Sequence, residues 1–270
     1  MMPVTHLNLE ITNLCNQRCS YCFNGSGPFG GRHEVDVETW RNFLFRQKTQ
    51  GLKSIHVTGG EPFVSEKALE LLRLARDLGL GASVLSNGYR IPNLLRSHGA
   101  IFRRLSVVQI SLDSGEAAVH DARRGKAGAW RQAVAAIRAL RRANIPCEIS
   151  CTVSQETLDE VKRLAQFCAR SGLGFIARPL VSAGRGATAR LVPVDHAAFD
   201  ASVADIHRAW PGVLTQDRFQ YVPDRPESDA IARASGIATV LPNGRFRGGR
   251  ARFSQSDLEF ESVSEFLNAA

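Results

Sequence analysis

Three cysteines within eight residues are the feature of this sequence most able to do chemistry. Cys15, Cys19 and Cys22 follow the spacing Cys-x3-Cys-x2-Cys. Thiolates are the usual ligands of iron–sulfur clusters, and three of them leave one iron of a four-iron cluster open to a small molecule. A structural zinc site is the alternative, but zinc needs a fourth ligand, and the first histidine downstream, His33, lies eleven residues after Cys22. The spacing therefore favours a cluster with an open iron.

A second set of chemically active side chains lies on short β-like runs in which polar and apolar residues alternate. A strand that is buried on both faces is usually apolar throughout, so this alternation indicates a polar interior. A hydrogen-bonded polar network without substrate would give the same pattern. The candidates for contact with a substrate or for catalysis are Glu10, His56, Gln109, Glu148 and Arg178.

Six β-like runs alternate with helical stretches, and these elements must position the candidate residues. The strands are predicted at residues 7–12, 54–58, 82–86, 105–112, 147–153 and 173–178. Such alternation predicts an α/β fold in which helices wrap a parallel sheet. If the polar faces point inward, the sheet encloses a ligand cavity with its catalytic loops at the carboxyl ends of the strands. The three cysteines follow the first strand and belong to this rim.

The pattern changes after residue 180, where we place a domain boundary. Residues 180–190 are rich in Gly, Ala and Arg, residues 193–210 are predicted to be a helix, and residues 237–246 a hairpin turning at Asn243-Gly244. We therefore expect a core domain over residues 1–180 and a small α+β appendage over residues 181–270.

The composition is that of an ordinary globular protein, with 44% hydrophobic and 22% charged residues. The sequence shows neither a bilayer-spanning apolar run nor a signal peptide, so we expect a cytoplasmic protein without membrane association and with reduced cysteines. The net charge of +8 suggests an acidic partner. Nucleic acid is not the partner we expect, because the sequence contains no recognised nucleic-acid-binding module.

The cysteine spacing after a first strand resembles the signature of the radical S-adenosylmethionine (SAM) superfamily. The run TGGEP at residues 58–62, directly after the second strand, is similar to the glycine-rich SAM-binding motif of that family. The resemblance implies that Cys15, Cys19 and Cys22 bind a 4Fe-4S cluster. It also implies that Gly59, Gly60, Glu61 and Pro62 form part of the SAM site, with backbone atoms binding the methionyl amino group.

Further motifs in the same order resemble other SAM contacts of the family. The implied contacts are Tyr21 near the adenine, Ser86 and Asn87 after the third strand, Ser111 and Asp113 near the ribose, and Arg124 on the SAM carboxylate. Arginine suits the last role because its planar fork binds a carboxylate bidentately. Arg123 is an alternative to Arg124, and an exposed arginine at a helix start is the plainer interpretation of either residue.

The resemblance covers residues 5–180 and implies a partial (β/α)6 TIM-like barrel with SAM across its open rim. Residues 178–186 are similar to the bridge that leads into a C-terminal SPASM or twitch extension, a region that binds auxiliary clusters in that branch. The last cysteine here is Cys168, and Gly249 stands where a ligating cysteine is expected. We therefore expect a SPASM-like or twitch-like extension over residues 181–270 without cluster ligands.

The implied activity is reductive cleavage of SAM to a 5′-deoxyadenosyl radical that abstracts hydrogen from an unactivated C–H bond. Because the motifs resemble the peptide-modifying branch, the expected substrate is a ribosomally synthesised precursor peptide, with an external electron donor of the flavodoxin or ferredoxin type. One alternative is rearrangement, decarboxylation or epimerisation of a small molecule in natural-product or cofactor biosynthesis. The others are RNA modification and a non-catalytic iron–sulfur or zinc protein.

The three remaining cysteines are predicted to be core residues. Cys147 and Cys151 share a strand face with Ile149, and Cys168 lies on an apolar helix. A thiol that donates hydrogen to a substrate radical would give the same pattern, so that role stays open for each of them.

Overall fold

A twisted, mostly parallel sheet forms the centre of the protein. The computed structural model describes residues 4–30, 34–215, 237–243 and 246–247. The strands are β1 His6–Glu10, β2 Ser54–Thr58, β3 Gly81–Ser86, β4 Val107–Ser111, β5 Cys147–Val153, β6 Gly174–Pro179, β7 Ile237–Val240 and β8 Phe246–Arg247. The six predicted strands are confirmed, and their ends shift by no more than two residues.

The order of the strands in the sheet is β6-β5-β4-β3-β2-β1-β7-β8, and only β8 runs antiparallel to its neighbour. Strands β6 and β8 are the two edges of the described sheet, so the barrel is partial, as predicted. Strand β7 pairs in parallel with β1, which places Thr239 beside Asn8. The predicted hairpin therefore extends the sheet of the core through β7. Its proposed turn residue Gly244 lies outside the described residues, as does Gly249, and the boundary at residue 180 stays a prediction.

Seven α-helices surround the described part of the sheet. They are α1 Val37–Thr49, α2 Lys67–Asp77, α3 Ile91–Phe102, α4 Ala117–Arg124, α5 Ala129–Arg142, α6 Leu158–Ser171 and α7 His196–Ala209. Helix α7 confirms the helix predicted at residues 193–210. It begins later because the carboxylate of Asp195 caps it by accepting a hydrogen bond from the backbone N–H of Ala198. None of the described helices combines the length and the apolar character needed to span a bilayer.

The hydrophobic core lies between the helices and the outer face of the sheet. Leu9, Val57 and Ile110 point outward from their strands and are fully buried there. Cys147, Cys151 and Cys168 belong to the same core, which confirms their predicted packing role. None of these three thiols lines the cavity described below, so the structure gives no support to their role as hydrogen donors. The opposite face of the sheet carries the polar residues and encloses the site.

Candidate active site at the carboxyl edge of the sheet

A cavity of about 260 Å³ is lined by the polar face of the sheet and by the loop that follows β1. Thirteen of the predicted site residues line it: Glu10, Cys15, Cys19, Tyr21, Cys22, His56, Gly59, Gly60, Ser86, Asn87, Ser111, Arg124 and Arg178. The other five, Glu61, Pro62, Gln109, Asp113 and Glu148, are not among the lining residues. The structure thus brings the three cysteines and most of the polar candidates to one cavity.

The cysteine loop, residues 13–30, is held by backbone hydrogen bonds to itself and to the end of α4. The N–H of Cys15 donates to the carbonyl of Gly27 at 3.0 Å. The N–H groups of Arg18 and Ser20 donate to the carbonyls of Arg124 and Arg123 at 3.1 and 3.0 Å. All three loop cysteines are free thiols. These hydrogen bonds fix the backbone of the loop and therefore the positions of the three cysteines.

Gly59 and Gly60 fit against the backbone of the cysteine loop. The N–H of Gly60 donates to the carbonyl of Thr12 at 2.6 Å. A Cβ atom at Gly60 would lie 2.2 Å from the carbonyl oxygen of Leu14, and one at Gly59, where φ is +128°, would lie 2.5 Å from that of Thr12. Glycine is required at both positions for this close approach. Their contact with the SAM amino group stays a prediction.

Glu61 ties the loop after β2 to the loop after β3. Its carboxylate accepts hydrogen bonds from Ser86 Oγ at 2.9 Å, Asn87 N at 2.7 Å and Phe63 N at 3.2 Å. Burial raises the pKa of Glu61 to about 7, although these three hydrogen bonds oppose the shift. Pro62 is buried at the start of the following short 3₁₀ turn. In this structure the carboxylate positions Ser86 and Asn87, two residues that line the cavity.

Asp113, Tyr21 and Arg124 form a buried charged group beside Cys19. Arg124 Nη2 lies 2.9 Å from Asp113 Oδ1, Arg124 Nε lies 2.9 Å from Oδ2, and the Tyr21 hydroxyl also donates to Oδ2. Burial is the largest influence and alone would raise the pKa of Asp113, but Arg124, Arg123, His120 and the Tyr21 hydroxyl together hold that pKa below its usual value. Arg124 Nη1 reaches Cys19 Sγ at 4.0 Å. A fixed positive charge thus lies next to one of the proposed ligands.

Arg123 and Arg124 correct one expectation from the sequence. An exposed arginine at a helix start is wrong for both, because each is only 7% exposed and lies in the last turn of α4. Arg123 donates to Ser154 Oγ at 3.0 Å and stacks over the Tyr21 ring at 4.9 Å. Arg124 binds Asp113 in this structure, and its contact with a SAM carboxylate stays a prediction.

The five candidates for substrate contact divide into two groups. Three line the cavity: Glu10, whose carboxylate accepts from Asn24 Nδ2 at 3.0 Å, His56, whose Nδ1 lies 2.8 Å from Ser83 Oγ, and Arg178, which contacts the Ser150 hydroxyl. The other two form a polar chain with Arg178. Gln109 accepts from Arg178 Nη2 at 3.2 Å, and its own amide donates to Glu148 at 3.2 Å. Gln109 and Glu148 therefore position Arg178.

Two cavity residues in the cysteine loop that the sequence did not single out carry hydrogen-bond donors without partners. The amide nitrogen of Gln17 and the hydroxyl of Ser26 are buried, line the cavity and make no hydrogen bond. Buried polar groups normally have partners, so these donors indicate a missing acceptor. The only signal in the sequence is their position within the cysteine loop.

The residues present fit an iron–sulfur cluster better than a single metal ion. Within the described ranges, no three His, Cys, Asp or Glu side chains are arranged to hold one metal ion, although three thiols line one cavity. A cluster is larger than an ion, and its sulfides accept hydrogen bonds such as those Gln17 and Ser26 have to offer. Burial raises the pKa of Cys15 to about 12, so a thiolate there needs an adjacent cation, which iron would supply.

A family model described as the radical SAM superfamily matches residues 9–168 of this chain. Among curated proteins, the sporulation killing factor maturation protein SkfB of Bacillus subtilis is 33% identical over 190 residues, which are 68% of this chain and 44% of that protein. The AdoMet-dependent heme synthase of Methanosarcina barkeri is 31% identical over 182 residues, 66% of this chain and 51% of that protein. The chain thus spans about half the length of these relatives.

Solved structures share the fold. That of Streptococcus suis SuiB bound to its precursor peptide SuiA superimposes with a TM-score of 0.74 over 98% of this chain and 63% of that one. At 15% sequence identity, this likeness concerns the fold alone. It agrees with the partial barrel seen here.

Proposed function

Since the chain belongs to the radical SAM superfamily, we propose that it cleaves SAM reductively at a 4Fe-4S cluster held by Cys15, Cys19 and Cys22. When bound, the reduced cluster supplies the electron that splits SAM into methionine and a 5′-deoxyadenosyl radical, which takes hydrogen from an unactivated C–H bond. The observation that carries the proposal is that three thiols and the polar face of the sheet line one cavity.

Different residues around the cavity position the cysteine loop and the residues of the cavity wall. The Gly59-Gly60 turn and the carbonyls of Arg123 and Arg124 hold the cysteine loop in place. Glu61 holds Ser86 and Asn87 at the cavity wall, where the family motifs place SAM. Arg124 carries a fixed positive charge beside Cys19, which would balance part of the negative charge of a thiolate-bound cluster.

Substrate contact is assigned to the polar residues of the strands. Glu10, His56 and Arg178 present a carboxylate, an imidazole and a guanidinium to the same cavity. Such a set can orient a polar substrate by hydrogen bonds while the buried walls exclude water from a reactive radical. Gln109 and Glu148 would act indirectly. Gln109 accepts a hydrogen bond from Arg178 and donates one to Glu148, and this chain holds Arg178 in place.

We favour a ribosomally synthesised peptide as the substrate. The relative SkfB is named as a maturation protein, and SuiB was solved with a precursor peptide. Reductive cleavage consumes an electron, so the proposal includes an external donor of the flavodoxin or ferredoxin type. Such donors and reduced thiols belong to the cytoplasm, where we place the reaction.

A small-molecule substrate is the second candidate. It is favoured by the similarity to a heme synthase, and residues 169–270 contribute no cysteine to an auxiliary cluster. A redox-neutral rearrangement, decarboxylation or epimerisation needs no second cluster.

The test is anaerobic reconstitution with iron and sulfide, followed by dithionite and SAM, with 5′-deoxyadenosine measured by mass spectrometry. We expect about four irons per chain and 5′-deoxyadenosine formation that is lost in the C15A/C19A/C22A variant. The matched control is C147A/C151A/C168A, which removes three core thiols and should keep both properties. Deuterated peptides and metabolites then compete as substrates, and deuterium in 5′-deoxyadenosine identifies the one attacked. Zinc, or a cluster without SAM cleavage, would instead indicate a non-catalytic metal protein.

A further inference from the structure

Arg185, in the connection after β6, contacts the cysteine loop although it has no assigned role in binding the cluster or SAM. Its guanidinium donates from all three nitrogens to backbone carbonyls of the cysteine loop: Nε to Cys19 at 2.8 Å, Nη1 to Gly25 at 2.7 Å and Nη2 to Ser26 at 2.6 Å. A planar guanidinium can satisfy three fixed acceptors at once, which the single ammonium of a lysine cannot reproduce. The side chain therefore bridges both ends of the segment 19–26.

The backbone around Arg185 packs on the same loop. The N–H of Arg185 donates to the carbonyl of Cys22 at 3.0 Å. Gly184 has a φ of +55°, and a Cβ atom there would lie 2.3 Å from the carbonyl oxygen of Phe23. Gly186 is buried, and a Cβ atom there would lie 2.5 Å from the carbonyl oxygen of Val181. The small residues on either side let the arginine sit directly against the loop.

Besides Arg185, the segment 19–26 is held from outside by the N–H of Ser20 on the Arg123 carbonyl, the Tyr21 hydroxyl on Asp113 and Asn24 Nδ2 on Glu10. Within it, Cys22 N donates to Cys19 O at 3.4 Å and Gly25 N donates to Cys22 O at 3.1 Å. Two of the carbonyls contacted from residue 185, those of Cys19 and Cys22, belong to proposed cluster ligands. The position of these two thiols thus depends directly on a residue far away in the sequence.

We propose that Arg185 is a positioning residue that holds the segment 19–26 in the shape that binds the cluster. It comes from the connection after β6, beyond the residues 9–168 matched by the family model. The inference rests on the proposed function in one respect, the identity of the ligands. The shape of the loop in the free chain does not depend on that identity, which allows the two to be tested separately.

The test compares R185A and R185K with R190A, a control that removes an exposed arginine from the same connection. The first measurement is hydrogen exchange by mass spectrometry on the apo chain. The proposal predicts that amides of residues 19–27 exchange about tenfold faster in both Arg185 variants and at the wild-type rate in R190A. A thermal midpoint equal to that of the wild type shows that the fold of a variant is intact. If R185A does not fold, R185K takes its place in the comparison with R190A.

The second measurement is the iron content and the electron paramagnetic resonance spectrum after reconstitution and reduction. We expect less iron and a broadened signal in R185K and R185A, partly restored in R185A by added guanidinium ion. Full recovery in R185K would show that charge alone matters and would overturn the proposal, as would wild-type exchange in both variants. If the wild-type chain bound no cluster, the proposed function would fail, while faster exchange in R185A would still support the positioning role.

Discussion

Cys15 in the cysteine loop and Cys168 in the core are alike in burial and in pKa but lie in different surroundings. Cys15 is 8% exposed and Cys168 is fully buried, and burial raises the pKa of each thiol to about 12. Cys15 lies in a loop at the carboxyl edge of the sheet and lines a polar cavity. Cys168 lies on α6 and packs into the hydrophobic core. Burial and pKa therefore do not separate a ligand from a core residue, whereas position relative to the sheet does.

The two regions are also held together differently. The surroundings of Cys168 depend on contact among apolar side chains, where a loss of volume lowers stability. The cysteine loop depends on hydrogen bonds with three distant parts of the chain, namely Glu61 after β2, whose N–H donates to the Leu14 carbonyl, the end of α4, and Arg185 after β6. Substitutions in the core should thus cost stability, and substitutions around the loop should cost metal binding.

The largest contrast is expected from the cysteines themselves. Replacing Cys15, Cys19 or Cys22 singly by Ala should lower 5′-deoxyadenosine formation by about a hundredfold or more, because each is proposed to supply one of three cluster ligands. Cys168→Ala should leave bound iron and activity unchanged and lower the free energy of unfolding by about 1–2 kcal/mol. Iron analysis and urea unfolding measure the two effects. Loss of iron in Cys168→Ala would remove the distinction between the two sets.

Asp113→Asn should have the next largest effect, this time on stability. Asn keeps the shape of the side chain but leaves the buried guanidinium of Arg124 without its counter-charge, which costs about 3–5 kcal/mol. The exposed Asp205, which pairs with Lys162, provides the control, and Asp205→Asn should unfold like the wild type. Equal urea midpoints for Asp113→Asn and wild type would show that the buried pair does not stabilise the site.

His120 should make stability depend on pH in a defined window. Burial, aided by Arg124, lowers its pKa from 6.5 to about 4, and its neutral Nδ1 accepts from Asp113 N at 3.1 Å. Because the unfolded chain takes up this proton at higher pH, stability is fully present above pH 6.5 and falls as the pH drops towards 4. The slope contributed is at most about 1.4 kcal/mol per pH unit. Urea unfolding from pH 7 to 4.5 should show a flatter profile for His120→Gln, while the exposed His207→Gln should keep the wild-type profile.

Gly60→Ala tests the contact between the two loops and should lower the free energy of unfolding by about 1–3 kcal/mol. The new methyl group would overlap the carbonyl of Leu14 and push the cysteine loop away, so bound iron should fall several-fold. Gly115→Ala is the control because a Cβ atom there meets open space. If both variants bound iron equally well, the close packing of the two loops would not matter for the site.

The parts of the fold that could be predicted from the sequence are those marked by a local pattern of residues. Strands β2 and β5 were predicted at their observed bounds because alternating polar residues mark a strand with a polar inner face. The pairing of β7 with β1 could not be foreseen, since the short run Ile237–Val240 carries no information about its partner. Whether two strands so far apart in the sequence pair with each other depends on how the chain between them folds.

The same distinction applies to the site. The spacing of Cys15, Cys19 and Cys22 places them in one loop by covalent proximity alone. Nothing local reveals that Glu61 directs its carboxylate at Ser86 and Asn87, because a buried carboxylate looks the same in sequence whatever it binds. The contacts of Arg185 with the loop cross about 160 residues and could not have been predicted.

The central claim is that the three loop cysteines hold a cluster whose open iron binds SAM. The most direct measurement is the electron paramagnetic resonance spectrum of the reconstituted, dithionite-reduced protein with and without SAM. The account predicts a reduced-cluster signal whose g values shift on addition of SAM, and no such signal in C15A/C19A/C22A. A signal that SAM leaves unchanged, or one that persists in the triple variant, would contradict it.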